Sequence, residues 1–291
     1  MIGPRASNQA LAAPLPETLR TVIRPSSGWP LLDLREFWQY RELLYLLAWR
    51  DVAVRYKQTV LGIAWAVLQP LLTMVVFAVF FGRLGGLSRC AGDIPYPLFT
   101  LCALLPWQLF SHALSESSNS LVTEKRLLTK VYFPRTILPV APLLSNLVDF
   151  AIAFVLLLGL MAWYGVGLGW QALTVPLFVG LAVLTALGLS LWLSALNALY
   201  RDVRYVVPFL TQFWMFATPV AYSSRIVPEP WRNWYGLNPM AGVIDGFRWA
   251  LLGAEAPPGP MLAASLTATV LLLTTGLFFF RRMERTFADV I

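Results

Sequence analysis

RDVAVRYKQTVLGIAWAVLQP, residues 50–70, begins with a charge at almost every second or third position and then becomes a run of apolar residues with no Gly/Pro/Ser linker between. The stretch welds a basic amphipathic segment to a candidate membrane span. Composition decides which solvent the apolar half meets. The chain is 58% hydrophobic and 13% charged, with a mean hydropathy of +0.65, where a soluble domain is about a quarter charged. This is the pattern of an all-α polytopic membrane protein. Two cysteines, Cys90 and Cys102, and one histidine, His112, exclude a disulfide framework or a Cys/His metal cage, so no metal site is expected. The net charge of +7 reads as cytoplasmic positive charge facing anionic headgroups rather than nucleic-acid binding.

A hydrocarbon core of roughly 30 Å needs about 20 mostly apolar residues per helix. Six segments qualify: about 60–82, 96–116, 137–164, 172–199, 205–223 and 260–280. The second carries Pro106, His112 and Glu116, and the fifth carries Pro208 and Pro219 and is barely long enough. Proline is tolerated where neighbouring helices satisfy the freed carbonyls. With both termini inside, seventeen Lys and Arg fall on the cytoplasmic side and five (Arg83, Arg89, Arg225, Arg232, Arg248) on the outer side, a strong positive-inside asymmetry. Residues 1–30, rich in Pro, Ser and Ala, read as a disordered cytosolic tail without a cleaved targeting segment. Residues 31–58 read as the amphipathic helix, and 59–291 as the six-helix membrane domain.

On a helical wheel from Leu34 to Lys57, Arg35, Gln39, Glu42, Arg50 and Lys57 fall in a sector of roughly 80°. Phe37, Trp38, Leu44, Tyr45, Ala48 and Val52 lie opposite, interrupted by Arg41, Asp51 and Arg55. A basic helix with Trp and Tyr on its apolar side lies in the headgroup plane. It is either an anchor that sets topology or a surface that receives a cytosolic protein, with Asp51, Arg55 and Lys57 as charged contacts and the weld transmitting force. SLVTEKRLLTKVYFPRTILP, residues 120–139, carries a second such signal. Glu124 precedes Lys125, Arg126 and Lys130 in the order a helix dipole favours, and Tyr132 and Phe133 follow in a loop that faces water. A short helix presenting aromatics suits docking into a partner's groove; the alternative is a positive-inside loop whose aromatics sit in the interfacial belt.

At these residues the chain resembles the permease subunits of ABC-2-type polysaccharide exporters, which move O-antigen, capsular and teichoic-acid polymers. The resemblance rests on RDVAVRYKQTVLGIAWAVLQPLL (50–72), VYFPRTILP (131–139), YRDVRY (200–205), ATPVAYS (217–223) and LNPMAGVIDGFRWALLG (237–253), in that order. One departure is Ala53, where many relatives are expected to carry a basic residue. The resemblance implies a homodimeric channel in a bacterial inner membrane, with both termini cytosolic and two copies of a separate ATPase subunit underneath. The N-terminal helix would be the interface helix and 121–135 the coupling helix; Asp51, Arg55, Lys57, Glu124, Lys125, Arg126, Lys130, Tyr132 and Phe133 would dock the ATPase. No Gly is followed by Lys, so no G-x-x-x-x-G-K-[ST] loop can hold nucleotide phosphates. ATP and Mg would be bound by the partner, and this chain would carry no cofactor and no catalytic residue.

Between the fifth and sixth spans, PEPWRNWYGL (228–237) carries Trp231, Trp234 and Tyr235, and Asn238-Pro239 reads as an N-cap followed by the first residue of a helix through about Leu252. The family's re-entrant gate helices lie here; one amphipathic helix flat on the outer surface is the alternative. A polysaccharide offers hydroxyls and apolar C–H faces, so Phe209, Phe213 and Phe216, with Trp65, Gln69, Trp107 and Gln108, are the channel-lining candidates against a packing or lipid-facing role. Asp149, deep in a span with no evident Lys or Arg partner, is expected to hold helices or the dimer together. The function expected is export of a lipid-linked polysaccharide. A permease for a small lipid or drug is the alternative, and a membrane enzyme acting on lipid-linked sugars a more distant one, since outer acids Asp93, Glu229, Asp245 and Glu255 form no cluster.

Overall fold

A computed structural model describes residues 34–57, 62–253 and 259–290. All regular structure among these residues is helical. In order they are α1 (Leu34–Gln39), α2 (Arg41–Lys57), α3 (Ile63–Phe77), α4 (Tyr96–Thr123), α5 (Lys125–Lys130), α6 (Ile137–Trp163), α7 (Val175–Leu199), α8 (Val203–Phe216), α9 (Glu229–Tyr235), α10 (Pro239–Leu252) and α11 (Pro260–Val290). Among the described residues five helices are long and apolar enough to cross a membrane: Ala64–Leu84, Tyr96–Thr123, Ile137–Trp163, Trp170–Leu199 and Pro260–Glu284. The first ends in a π-helical turn, Ala78–Leu84. The expected N-terminal tail, 1–30, lies outside the described residues.

The weld is not one continuous helix. Gly62 precedes α3 with φ of 45°, a left-handed conformation glycine adopts without a Cβ clash, and residues 58–61 lie outside the description. Helical hydrogen bonding therefore cannot run unbroken from α2 into α3. The expected interface helix is also two pieces, α1 and α2, parted at Tyr40.

Helix directions follow from paired contacts. Gln69 meets His112 at 3.4 Å and Gly82 lies against the Tyr96 ring, so α3 and α4 are antiparallel. Asn146 donates to Glu116 at 2.7 Å, while Phe247 packs edge-on against Phe154 and its carbonyl lies 3.8 Å from the Cys102 thiol; α6 therefore also opposes α4. Thr185 bonds Thr269 at 2.9 Å and Trp192 stacks on Phe279 at 4.1 Å, which makes α7 and α11 parallel. The chain must return, between residues 199 and 260, to the end from which α7 started.

It does so beside α4. Asn197 at the end of α7 donates to the Ser118 carbonyl; Trp214 of α8 packs edge-on against Phe110; and Tyr96 donates to the Ala221 carbonyl at 2.7 Å. The fifth expected span, 205–223, is thus not one helix. At 1.5 Å per residue, the 14 residues of α8 cover roughly 21 Å, too short alone for a 30 Å core. Pro219 disfavours helical geometry at Thr218, and the chain continues in turns to Tyr222.

Helix α4 is the hub: 78% of its most apolar window is buried, against 17% for α3 and for α11. Its apolar side chains join those of α6, α7 and α10 in the main core. A second core, formed by Leu47, Leu121, Phe133, Ile137, Leu138, Ala141, Leu191, Ala195 and Phe280, fastens α2 to the end of the bundle.

Candidate functional site

Charged groups gather where α2 crosses the ends of α4 and α6. The Arg55 guanidinium donates to Glu116 of α4 at 2.6 Å and to Asp149 of α6, with Asn146 at 3.5 Å. Tyr56 donates to the second oxygen of Asp149, and Asn146 donates to the second oxygen of Glu116. Two carboxylates thus share one guanidinium, and the remaining oxygen of each receives a neutral donor. The side chains of Arg55 and Asp149 are only 30% and 22% exposed, so the pairing is screened less than a surface ion pair. Burial pushes the Tyr56 phenol above its ordinary range, which keeps it a donor.

This arrangement corrects the expectation that Asp149 has no basic partner. It also explains the broken amphipathicity of the N-terminal helix. Arg55 interrupts the apolar face because that face meets Glu116 and Asp149. The two partners of Arg55 stand 61 and 94 residues away, so no local pattern could have announced the cluster.

One turn toward the start of α2, Arg50 donates to Glu124 at 2.6 Å and to Asp51 at 2.8 Å. The Glu124 bond is the chief cause that raises the Arg50 guanidinium above its ordinary value. Glu124 is the single residue between α4 and α5, so this pair ties α2 to the base of α5. A cleft of about 610 Å³ runs between the two clusters, with Arg50, Asp51, Arg55, Glu116 and Glu124 on its walls.

The docking candidates separate accordingly. Lys57, Lys125, Arg126, Lys130 and Tyr132 are exposed. Asp51, Arg55 and Glu124 are turned to partners within the chain. Phe133 is 4% exposed within the second core, so the expectation that it faces a partner is corrected; the gain from burying its ring among α2, α6, α7 and α11 outweighs presenting it. Among the channel candidates, Phe209, Phe213 and Phe216 line the uncovered face of α8 and Trp65 is half exposed, but Trp107 is buried at 3%. Trp107 packs on Phe110 in the main core and cannot line a passage. Gln69 and Gln108 border a small cavity with His112, Asn146 and Asp149, whose remaining walls are apolar.

At the opposite end of the bundle, α10 begins at Pro239 under Asn238, whose side chain accepts the Met240 N–H at 3.2 Å, as its sequence predicts. Helix α10 is buried along nearly its whole length, which excludes one amphipathic helix lying flat on a surface. Asn238 also accepts from the Trp214 indole at 3.0 Å and donates to Thr218 at 3.0 Å. Tyr235 donates to the Ala217 carbonyl at 2.8 Å, while Trp231 and Trp234 are exposed.

The charge count assigns Arg248 to the outer side; in the structure its side chain is fully buried. Its guanidinium donates to the carbonyls of Pro219 (2.7 Å), Val220 (2.7 Å) and Tyr222 (3.0 Å), and lies 3.6 Å from the centre of the Phe99 ring. The neighbouring carbonyls are also satisfied: Phe216 by Tyr222, Ala217 by Tyr235, Thr218 by the Val220 N–H, and Ala221 by Tyr96. Non-helical backbone in an apolar interior requires such donors. A single arginine, three residues after Asp245 in the largely apolar GVIDGFRWALL, was the available signal.

Residues 42–252 match the ABC-2 type transporter family. The O-antigen export system permease protein RfbA of Myxococcus xanthus is 32% identical over 261 residues, covering 89% of this chain and 98% of that protein. RfbA of Klebsiella pneumoniae is 25% identical over 86% of this chain and 95% of its own length. The polysialic acid transport protein KpsM of Escherichia coli is 24% identical over 84% of this chain and 93% of its own length.

Proposed function

The chain belongs to the ABC-2 type transporter family, and from that premise we propose that it is the permease of an ATP-driven exporter moving a lipid-linked polysaccharide out of the cytoplasm. The observation that carries the reading is the near end-to-end likeness to permeases named for O-antigen export. Having no G-x-x-x-x-G-K-[ST] loop of its own, the chain takes its energy from a partner ATPase that binds ATP and Mg. Exposed Lys57, Lys125, Arg126, Lys130 and Tyr132 form the face this partner grips, on α2 and on α5 as the coupling helix.

In this reading the membrane is bacterial and inner, and both termini are cytosolic. The fifth crossing, which brings the count to six, is composite: α8 supplies the first part, and residues 217–222, held by side-chain donors, complete it. The parallel run of α7 and α11 supports this count, because an odd number of crossings must separate them. Helices α9 and α10 then enter the outer leaflet as a gate. The aromatic face of α8 faces the polymer path in a homodimer, since Phe209, Phe213 and Phe216 offer platforms without charge.

The test is deletion of the gene, with complementation, and purification of the tagged chain. The deletion should accumulate polymer inside the cell and lack it at the surface, and an ABC ATPase should co-purify with the chain. Normal surface polysaccharide in the deletion strain would remove polysaccharide as the cargo and leave a small lipid or drug.

A further inference from the structure

The partner ATPase was expected to push on the first crossing through a continuous α2–α3 rod. Gly62 breaks that rod, and α2 packs instead along α6. The strongest polar links of α2 are lateral. Arg50 reaches Glu124 at the root of α5, and Arg55, one turn and a half further, reaches Glu116 in α4 and Asp149 in α6. Tyr56 adds its bond to the same Asp149. Just before Arg50 in α2, Leu47 anchors the helix in the second core. These contacts make α2 and α5 one body on the cytosol-facing end and join that body to α4 and α6.

We propose that Arg55 is a positioning residue of the transport cycle: with Glu116, Asp149 and Tyr56 it forms a lateral latch that passes motion of α2 and α5 into α4 and α6. This rests on the reading that a partner ATPase grips α2 and α5. The chemistry suits the task. A guanidinium fork held by two carboxylates from two helices is directional, and loss of the cation leaves Glu116 and Asp149 facing each other without a counter-charge. A disrupted latch lets the ATPase turn over without moving the bundle. Since α4 is the hub of the core, a displacement delivered at Glu116 reaches every helix packed on it.

The experiment compares the wild-type complex with Arg55→Asp, Asp149→Arg and the exchange Arg55→Asp/Asp149→Arg, which keeps one guanidinium between two carboxylates. Arg55→Gln and Asp149→Asn serve as uncharged variants should a reversed charge prevent accumulation in the membrane. Chain abundance, co-purified ATPase, ATP turnover and polymer exported per ATP are measured for each. The single variants should retain the ATPase and its turnover while export per ATP falls roughly tenfold, the size of an ordinary coupling energy; the exchange should recover a substantial part. Export per ATP equal to wild type in the single variants overturns the latch. So does a loss of abundance, turnover and export in the same proportion, or an assembled exchange that recovers nothing. If the wild-type chain itself binds no ATPase or exports no polymer, the underlying functional reading fails, and that outcome is separate from these.

Discussion

Arg248 and Arg55 are both cations turned into the protein, yet they find partners of different kinds. Arg55 meets two carboxylates, whereas Arg248 donates to main-chain carbonyls. A guanidinium offers five N–H donors in a rigid fork, and Arg248 uses them to replace hydrogen bonds that a helix would have made internally. Arg248→Ala strips a donor from four carbonyls; the three in non-helical backbone, at Pro219, Val220 and Tyr222, each cost about 1–3 kcal/mol when left buried and unpaired. The variant should therefore lose several kcal/mol, seen as a marked drop in the melting temperature of the detergent-purified protein or as failure to accumulate. Arg248→Lys keeps the charge without the planar fork and should fall between. Exposed Arg201 is the control, and Arg201→Ala should melt as wild type. A wild-type melt for Arg248→Ala would show that the 217–222 backbone holds its shape unaided.

At the scale of elements, the α7–α11 pair shows how the bundle packs without a hydrophobic force between its helices. Helices in lipid associate through close backbone approach and interhelical hydrogen bonds. Gly188 and Gly276 supply the approach: a Cβ on Gly276 would sit 2.3 Å from the Gly188 carbonyl oxygen. Thr185 and Thr269 supply the buried hydroxyl pair. Gly276→Leu must force the two helices apart and should destabilise the protein by at least the ~1–3 kcal/mol typical of overpacking. Gly180→Ala, where an added Cβ meets nothing within 4 Å, should leave the melting temperature unchanged. Equal melting of the two variants would contradict the close contact. Helix α8 shows what element-level sequence patterns miss. Hydropathy ran on through residues 217–223, so the crossing read as one helix. Pro219 ended it at Phe216, and the donors that make the remainder tolerable lie on α4, α9 and α10.

For the whole molecule, the decisive relation is that α7 and α11 run the same way. It demands a return crossing even though α8 is short, and it places the end of α11 in the compartment that holds α5. Reporter fusions can read this directly. A fluorescent protein after residue 290 and an accessible cysteine at Lys130→Cys should report the same compartment, while a cysteine at Leu168→Cys should report the other. Opposite compartments for α5 and the C-terminus would reduce the crossings to an odd number and remove the composite span. The uncovered faces of α3, α8 and α11 are where lipid, or a second copy, meets the bundle.

Much of this was legible in the residues. Apolar length and charge asymmetry identified four of the long helices to within a few residues, the short helix after Glu124, and the Asn238 cap, because each is encoded within one or two turns of chain. The first span was legible too, but not the break at Gly62. The partners of Asp149, the burial of Phe133 and Trp107, and the inward turn of Arg248 were not legible, since each depends on side chains brought together from distant elements. By itself the sequence determined that the chain is a helical membrane protein and where most of its helices lie, because hydrophobic length and positive charge act locally against the bilayer. Only the tertiary structure decided which charges are joined and which backbone is held without helix, because in a low-dielectric interior a polar group must find its partner wherever the packing puts one.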